Sequence, residues 1–453
     1  MRSVTRVVLT LLALLLVSAP AGAQPAFTRG VWTQYGTGTF SAAQWHVREP
    51  GAGGAFPYDA LLTSAGTFTT FTAPQARQRL GEVRGQPGGV QAPFVTWDTS
   101  VWDSVRKRLI VTLWGGHQAE SSNEVNEWDF ATGTWNPDGR PFHPTTRLHV
   151  TNATSWPATY NADPSKPDAP PAVIDVNNNY TAGIKLSTGS GRRLVPLGRH
   201  TYDGMTFMPS VQKLWAWGGV GDWQVSGGPY IMAEWDTVTK QWQLIDGPDG
   251  NVFGGGTFTG SASGTSTWDS VANRVLFTND AGLWAYNPSG TINARTTRLL
   301  SDRALVNSLG NAHMVFDPKK NRAYILGAPT STTFIQLDFS GGHTTSPVKT
   351  FFTPTGSTWP TTSGSSGVGF GPGGFYDPVA DRVIIWTGGK TLYSMDSSYV
   401  TMTIGGTGAT DPGTPPSGIW HRIDYVPGAD VYVTINDATV PGAFIFAPIR
   451  PPA

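Results

Sequence analysis

Apolar and polar residues alternate along this chain in short runs, and a turn signal breaks each run. One arrangement returns six times: a strand rich in aromatic or aliphatic residues, a short polar turn led by Asp, Pro or Ser, and a second alternating strand. It reads VWDSVRKRLIVTLWGG from Val101, TFMPSVQKLWAWGG from Thr206, TWDSVANRVLFTND from Thr267, VFDPKKNRAYILGA from Val315, FYDPVADRVIIWTGG from Phe375 and DYVPGADVYVTIND from Asp424. Period-two alternation on both sides of such a turn predicts a β-hairpin. A second hairpin follows several of these, as in NEWDFATGTWNPD from Asn126 and AEWDTVTKQWQLID from Ala233. Later copies, GLWAYNPSG and IQLDFSGG, are worn.

Four strands per unit, recurring roughly every 50 to 60 residues, are what a β-propeller blade requires. The expected fold is all-β, a six-bladed propeller. A seventh blade stays open between Phe40 and Pro93, where FPYDALLTSAGTFTTFTAP lacks the aromatic-Asp hairpin. The last copy stops after GAFIFAPI from Gly442, one strand short. The stretch RGVWTQYG from Arg29 carries a Trp where outer strands carry one. A strand near 29–36 is therefore expected to pair with the C-terminal strand and close the ring, leaving no long free edge. Between the first two copies, about 141–199, lies a Pro- and Asn-rich loop insertion containing DPSKPDAPPAVIDVNNNYTAG. Its Asn-rich tip lacks the ligand order of an EF-hand loop and is read as a turn.

The double glycines Gly115-Gly116, Gly218-Gly219 and Gly388-Gly389, with turn-and-Trp pairs ending at Trp135 and Trp242, resemble the kelch repeat of galactose-oxidase-like propellers. The resemblance runs from about Asp98 to Ile449. It implies ligand sites over the central funnel and leaves the activity open, because one scaffold hosts unrelated functions. One departure matters. Galactose oxidase needs a cysteine cross-linked to a tyrosine, and this chain has no cysteine, which excludes that copper-radical oxidation. The stretches WGGHQAESSNEVNEWDFATGTW and RHTYDGMTF are also similar to a group of secreted bacterial kelch proteins.

Composition adds a destination. Arg2 and Arg6, the apolar run Val7 to Val17 and the small residues Ala21-Gly22-Ala23 read as a signal peptide over 1–23, cleaved near Ala23. The remainder, 24–453, is expected to be one propeller domain, secreted or periplasmic, acting as a monomer. Without cysteines, it is expected to hold together by its core alone. Charged residues are only 14% of the chain, and Lys+Arg balance Asp+Glu at 31 each. No long-range attraction for nucleic acid or an anionic membrane follows, and no further apolar run is long enough to span a bilayer. With 55 Gly, 35 Pro and 18 Trp, the chain suits many short strands and turns. The P-loop, HExxH and GxSxG are all missing.

Candidate chemistry rests on the eight histidines. His117 follows the second strand of its hairpin and is not shared by the other double glycines, where Val220 and Lys390 follow. His200, His313 and His421 lie just ahead of first strands. Four of the eight are thus expected on one face, near one axis, with Arg199, Tyr202 and Arg422 beside them. The plainest role for a lone histidine there is a hydrogen bond to a neighbouring loop. His46, His143, His149 and His343 receive no role.

Two active readings compete with it. Loop aromatics such as Trp223 and Tyr230, with His313, His421 and Arg422, could hold a glycan, since sugar C–H faces suit aromatic rings. Trp156, Tyr160 and Tyr180 in the insertion are further stacking candidates. Alternatively, His117, His200, Tyr202 and Arg199 could serve β-elimination on a uronate polysaccharide. Acid and base would be His and Tyr, with a cation neutralising the carboxylate beside the abstracted proton. No HxH or HxxxH spacing marks a metal site, so no metal and no cofactor are assigned. The expected partner is an extracellular glycan or cell-surface component, and a purely structural or protein-binding propeller stays as a further alternative.

Overall fold

The computed structural model describes residues 25–36, 99–112, 125–135, 184–188, 191–195, 201, 203–217, 232–239, 241–245, 264–279, 282–291, 295–302, 305, 312–326, 334–343, 345–356, 372–406, 408–413, 420–435 and 442–450. These residues form six antiparallel blades, each starting with one of the six predicted hairpins. Blade I comprises Ser100–Asp103, Arg108–Thr112, Val125–Asp129 and Thr134–Trp135. Blade II comprises Met205–Met208, Lys213–Ala216, Met232–Asp236 and Gln241–Ile245. Blade III comprises Ser266–Asp269, Arg274–Asn279, Gly282–Tyr286 and Thr296–Leu300. Blade IV comprises His313–Asp317, Arg322–Leu326, Phe334–Asp338 and Val348–Phe352. Blade V comprises Gly373–Asp377, Arg382–Trp386, Thr391–Met395 and Val400–Gly405, with Thr355–Gly356 added parallel at its outer edge. Blade VI comprises Ile423–Val426, Val431–Thr434 and Ala443–Phe446, and its fourth strand is the N-terminal Trp32–Tyr35.

The first strand of each blade touches the first strands of both neighbouring blades, and blade VI returns to blade I. The fold is therefore a closed six-bladed β-propeller. The seam is the predicted pairing of the two ends: Trp32 lies opposite Phe446 and Tyr35 opposite Ala443. Much of the 141–199 insertion and all of 40–93 fall outside the described residues. Within the insertion, Ile184–Thr188 and Gly191–Val195 form a separate hairpin beside the outer strand of blade II.

The turn residues explain the repeat. In blades I, III, IV and V the Asp ending the first strand folds back and accepts from two amides of its own turn, as Asp377 Oδ1 does from Val379 and Ala380 at 2.9 Å each. Blades II and VI place Met208-Pro209 and Val426-Pro427 there, where proline presets the turn. In all six turns the residue before the second strand is left-handed, with φ between 53° and 57° from Lys107 to Asp430. Between blades the core is aliphatic and aromatic. Trp32, Trp128, Trp215, Trp235 and Trp386 are each at most 2% exposed, so tryptophan here fills the wedges between sheets.

Candidate functional site

Three polar side chains converge where the first strands begin, and they come from alternate blades. Asp203 stands two residues ahead of the first strand of blade II, His313 opens that of blade IV, and His421 stands two residues ahead of that of blade VI. Alternate blades in a ring of six lie a third of a turn apart, so residues at the starts of their first strands face one axis. Ligand-capable atoms of the three residues all lie within 4.8 Å of one another.

Local structure sets each one. Asp203 sits in a turn closed by the Gly204 amide on the Thr201 carbonyl at 2.7 Å. A glycine follows it because a Cβ there would lie 2.2 Å from the Trp217 carbonyl oxygen. Asp203 Oδ2 accepts from the Thr265 hydroxyl of blade III and from the Met314 amide of blade IV at 3.1 Å. Its Oδ1 shares a hydrogen with His313 Nδ1 across 2.7 Å. His313 Nε2 donates to the Gly374 carbonyl of blade V at 2.6 Å. Asp203 and His313 are completely buried.

His421 is held differently. Trp420 adopts a φ of 34°, and the Arg422 amide bonds the Trp420 carbonyl at 2.5 Å, a tight three-residue turn centred on His421. Its ring centroid is 4.9 Å from that of His313, at 56° between planes. Nε2 lies 3.3 Å from Asp424 Oδ1. His421 Nδ1 and Asp424 Oδ2 are buried and meet no partner at hydrogen-bonding geometry among the described residues. Burial works against a charged His421 ring. Asp424, then Asp203 and the nearby Met205 backbone, outweigh that, and the ring is pushed up to about 9. Burial also pushes the Asp424 carboxyl up, against the pull of His421, His313 and the Trp102 backbone.

Asp424 occupies a seat that is otherwise apolar or hydroxylic. The third residue from the end of the first strand is Val101, Thr206, Thr267, Val315 and Phe375 in the other five blades. It borders a cavity of about 170 Å³ inside the channel, lined by residues of all six first strands. The cavity extends from His421 and Asp424 to Ser104 and Pro209 in the first turns. It thus reaches down the channel, toward the face opposite the one expected to carry the ligand.

Of the residues singled out in the sequence, His313 and His421 are brought together. Arg422 is buried, at 3% exposure. His117, Arg199, His200, Tyr202, Trp223 and Tyr230 lie outside the described residues. His343, given no role, stacks on Phe339 at 6.3 Å and accepts Arg274 on its backbone carbonyl at 2.5 Å, a link between blades III and IV. Asp203 and Asp424 were missed. The signal available was register: once the six turns are aligned, Asp203 and His421 fall in the same column.

No family model and no curated protein match the chain. Among solved structures it is similar to an auxiliary nutrient binding protein from Bacteroides ovatus, at 11% identity and a TM-score of 0.39 over 79% of this chain and 70% of that one. A gluconolactonase from Xanthomonas campestris matches at 10% identity and a TM-score of 0.39 over 81% and 93% of the two chains. A second auxiliary nutrient binding protein, from Bacteroides thetaiotaomicron, matches at 10% identity and a TM-score of 0.37 over 78% and 69%.

Proposed function

We propose that this chain is a secreted kelch-type propeller that binds an extracellular glycan, taking one sugar unit into its channel. The observation that carries the reading is Asp424 Oδ2, a buried acceptor with no partner among the described residues, at the end of a cavity bordered by Trp102, Trp268, Phe375 and Tyr376. Aromatic faces meet sugar C–H faces, and a carboxylate oxygen accepts from a hydroxyl. At about 170 Å³ the cavity is below the roughly 300–1,000 Å³ of sites for drug-sized ligands, which favours a single ring. Glycan-array binding followed by calorimetry tests this. Asp424→Ala and Trp268→Ala are expected to weaken the best ligand about tenfold or more, and an array without any hit overturns the reading.

Elimination on a uronate polysaccharide is the second reading, favoured by the His421 ring, which borders the cavity and is pushed up to about 9. Its cationic form would neutralise the substrate carboxylate while a base removes the adjacent proton. Uronate polysaccharides incubated with the protein should then gain the ultraviolet absorbance of an unsaturated product. Binding without that absorbance leaves the glycan-binding reading alone.

A further inference from the structure

We propose that Asp203, His313 and His421 form a binding site for one divalent first-row transition-metal ion, of which Zn²⁺ is representative. The ligand atoms are Asp203 Oδ1, His313 Nδ1 and His421 Nδ1. Each residue has its remaining polar atom anchored by a second group, as metal-ligating residues do. His313 Nε2 donates to the Gly374 carbonyl at 2.6 Å. His421 Nε2 faces Asp424 at 3.3 Å. Asp203 Oδ2 is tied to Thr265 and the Met314 amide. These anchors leave one atom per residue for an ion, the three residues bring ligand-capable atoms within 4.8 Å of one another, and one of them, His421 Nδ1, is buried with no partner among the described residues.

The chemistry of the set selects the ion. Two imidazoles and one carboxylate suit Zn²⁺, Fe²⁺, Co²⁺ or Ni²⁺ and disfavour Ca²⁺ and Mg²⁺, which take all-oxygen shells. An ion entering here replaces the hydrogen between Asp203 Oδ1 and His313 Nδ1 and the proton on the His421 ring, and these leave to solvent. The 2.7 Å separation of Oδ1 and Nδ1 must open by about half an ångström to hold metal–ligand bonds of about 2.0–2.2 Å. Three ligands leave an open position, as in sites that bind a further small molecule.

The proposal stands apart from the glycan reading, because it is tested with the metal alone. Untagged protein is stripped with a chelator and titrated with Co²⁺, followed by visible absorption and by elemental analysis after desalting, and then with Zn²⁺ in competition. One ion per chain is expected, with cobalt bands that Zn²⁺ bleaches. His421→Gln should lower the affinity at least about tenfold, and Asp424→Asn, which touches only the anchoring nitrogen, by about 10- to 100-fold. Circular dichroism and a urea midpoint establish that both variants fold. The proposal falls if wild-type protein retains no ion, if His421→Gln binds as well as wild type, or if Ca²⁺ displaces Co²⁺ at equal concentration.

Discussion

Tyr432 of blade VI donates its hydroxyl to Asp377 Oδ2 of blade V at 2.5 Å, and both residues are buried. Arg450, beyond the last strand, reaches the same oxygen at 2.6 Å. Burial and Asp377 together push the Tyr432 hydroxyl up, so it stays a donor throughout the accessible pH range. One carboxylate thus ties a turn in blade V to a strand of blade VI and to the C-terminal tail.

Asp377→Ala should cost about 3 kcal/mol, because it takes the acceptor from the buried Tyr432 hydroxyl and from the Val379 and Ala380 amides, while Arg450 keeps Asp430. Tyr432→Phe removes one bond and should cost about 1 kcal/mol. Urea unfolding of the two variants checks the order, and equal losses would contradict it.

Acid should loosen the seam. Asp430 bonds Arg450 at 2.5 Å and Arg29 at 2.8 Å. Burial raises its carboxyl, but the two arginines outweigh that and hold it below the ordinary carboxylate range. A carboxyl lowered by folding stabilises the folded state above its unfolded value of about 3.9, and that contribution is lost as pH falls through the folded value. Asp430→Asn should remove it, about 1 kcal/mol given the exposure of Arg29, and flatten that part of the stability curve below pH of about 4. Identical slopes for variant and wild type would exclude the linkage.

Gly36 and Gly442 face each other across the seam with φ of 106° and 74°. A Cβ on Gly36 would lie 2.2 Å from the Gly133 carbonyl oxygen, and one on Gly442 would lie 2.0 Å from that of Tyr35. Alanine at either position should cost more than about 1 kcal/mol. Limited proteolysis should then cut first in the N-terminal segment.

Trp32 packs on Trp386 at 6.2 Å and Phe446 at 5.2 Å and donates to the Lys390 carbonyl at 3.0 Å. Trp32→Ala should cost about 3–5 kcal/mol. Deleting 25–36 should do more than destabilise. It leaves Ala443–Phe446 as a bare apolar edge, and light scattering should show association that grows with concentration.

The blades were legible in the sequence because a hairpin is local. Asp, Pro and Ser turns between alternating strands fix where each blade starts, and only Trp32 had to be matched to a strand at the other end of the chain. The site was half legible. His313 and His421 stood out as scarce residues ahead of first strands. Asp203 carries no local mark of a site, and its partner His313 is 110 positions away. Asp424 looked like part of a hairpin, although its seat is apolar or hydroxylic in the other blades. Which residues meet depends on where the ring closes, and no local pattern carries that.

The pairing of Trp32–Tyr35 with Ala443–Phe446 sets an order of events. Among the described strands, Trp32–Tyr35 is made earliest and has no partner until Ala443–Phe446 follows. Every other strand in the blades can pair with a neighbour close in sequence, but this ladder spans almost the whole chain and carries the largest loop-closure cost. Blade VI is thus the step at which five nascent sheets become a ring. Folding rate should respond to substitutions at this seam more than to equal ones inside blades I to V, and the channel acquires its final shape only when that step is complete.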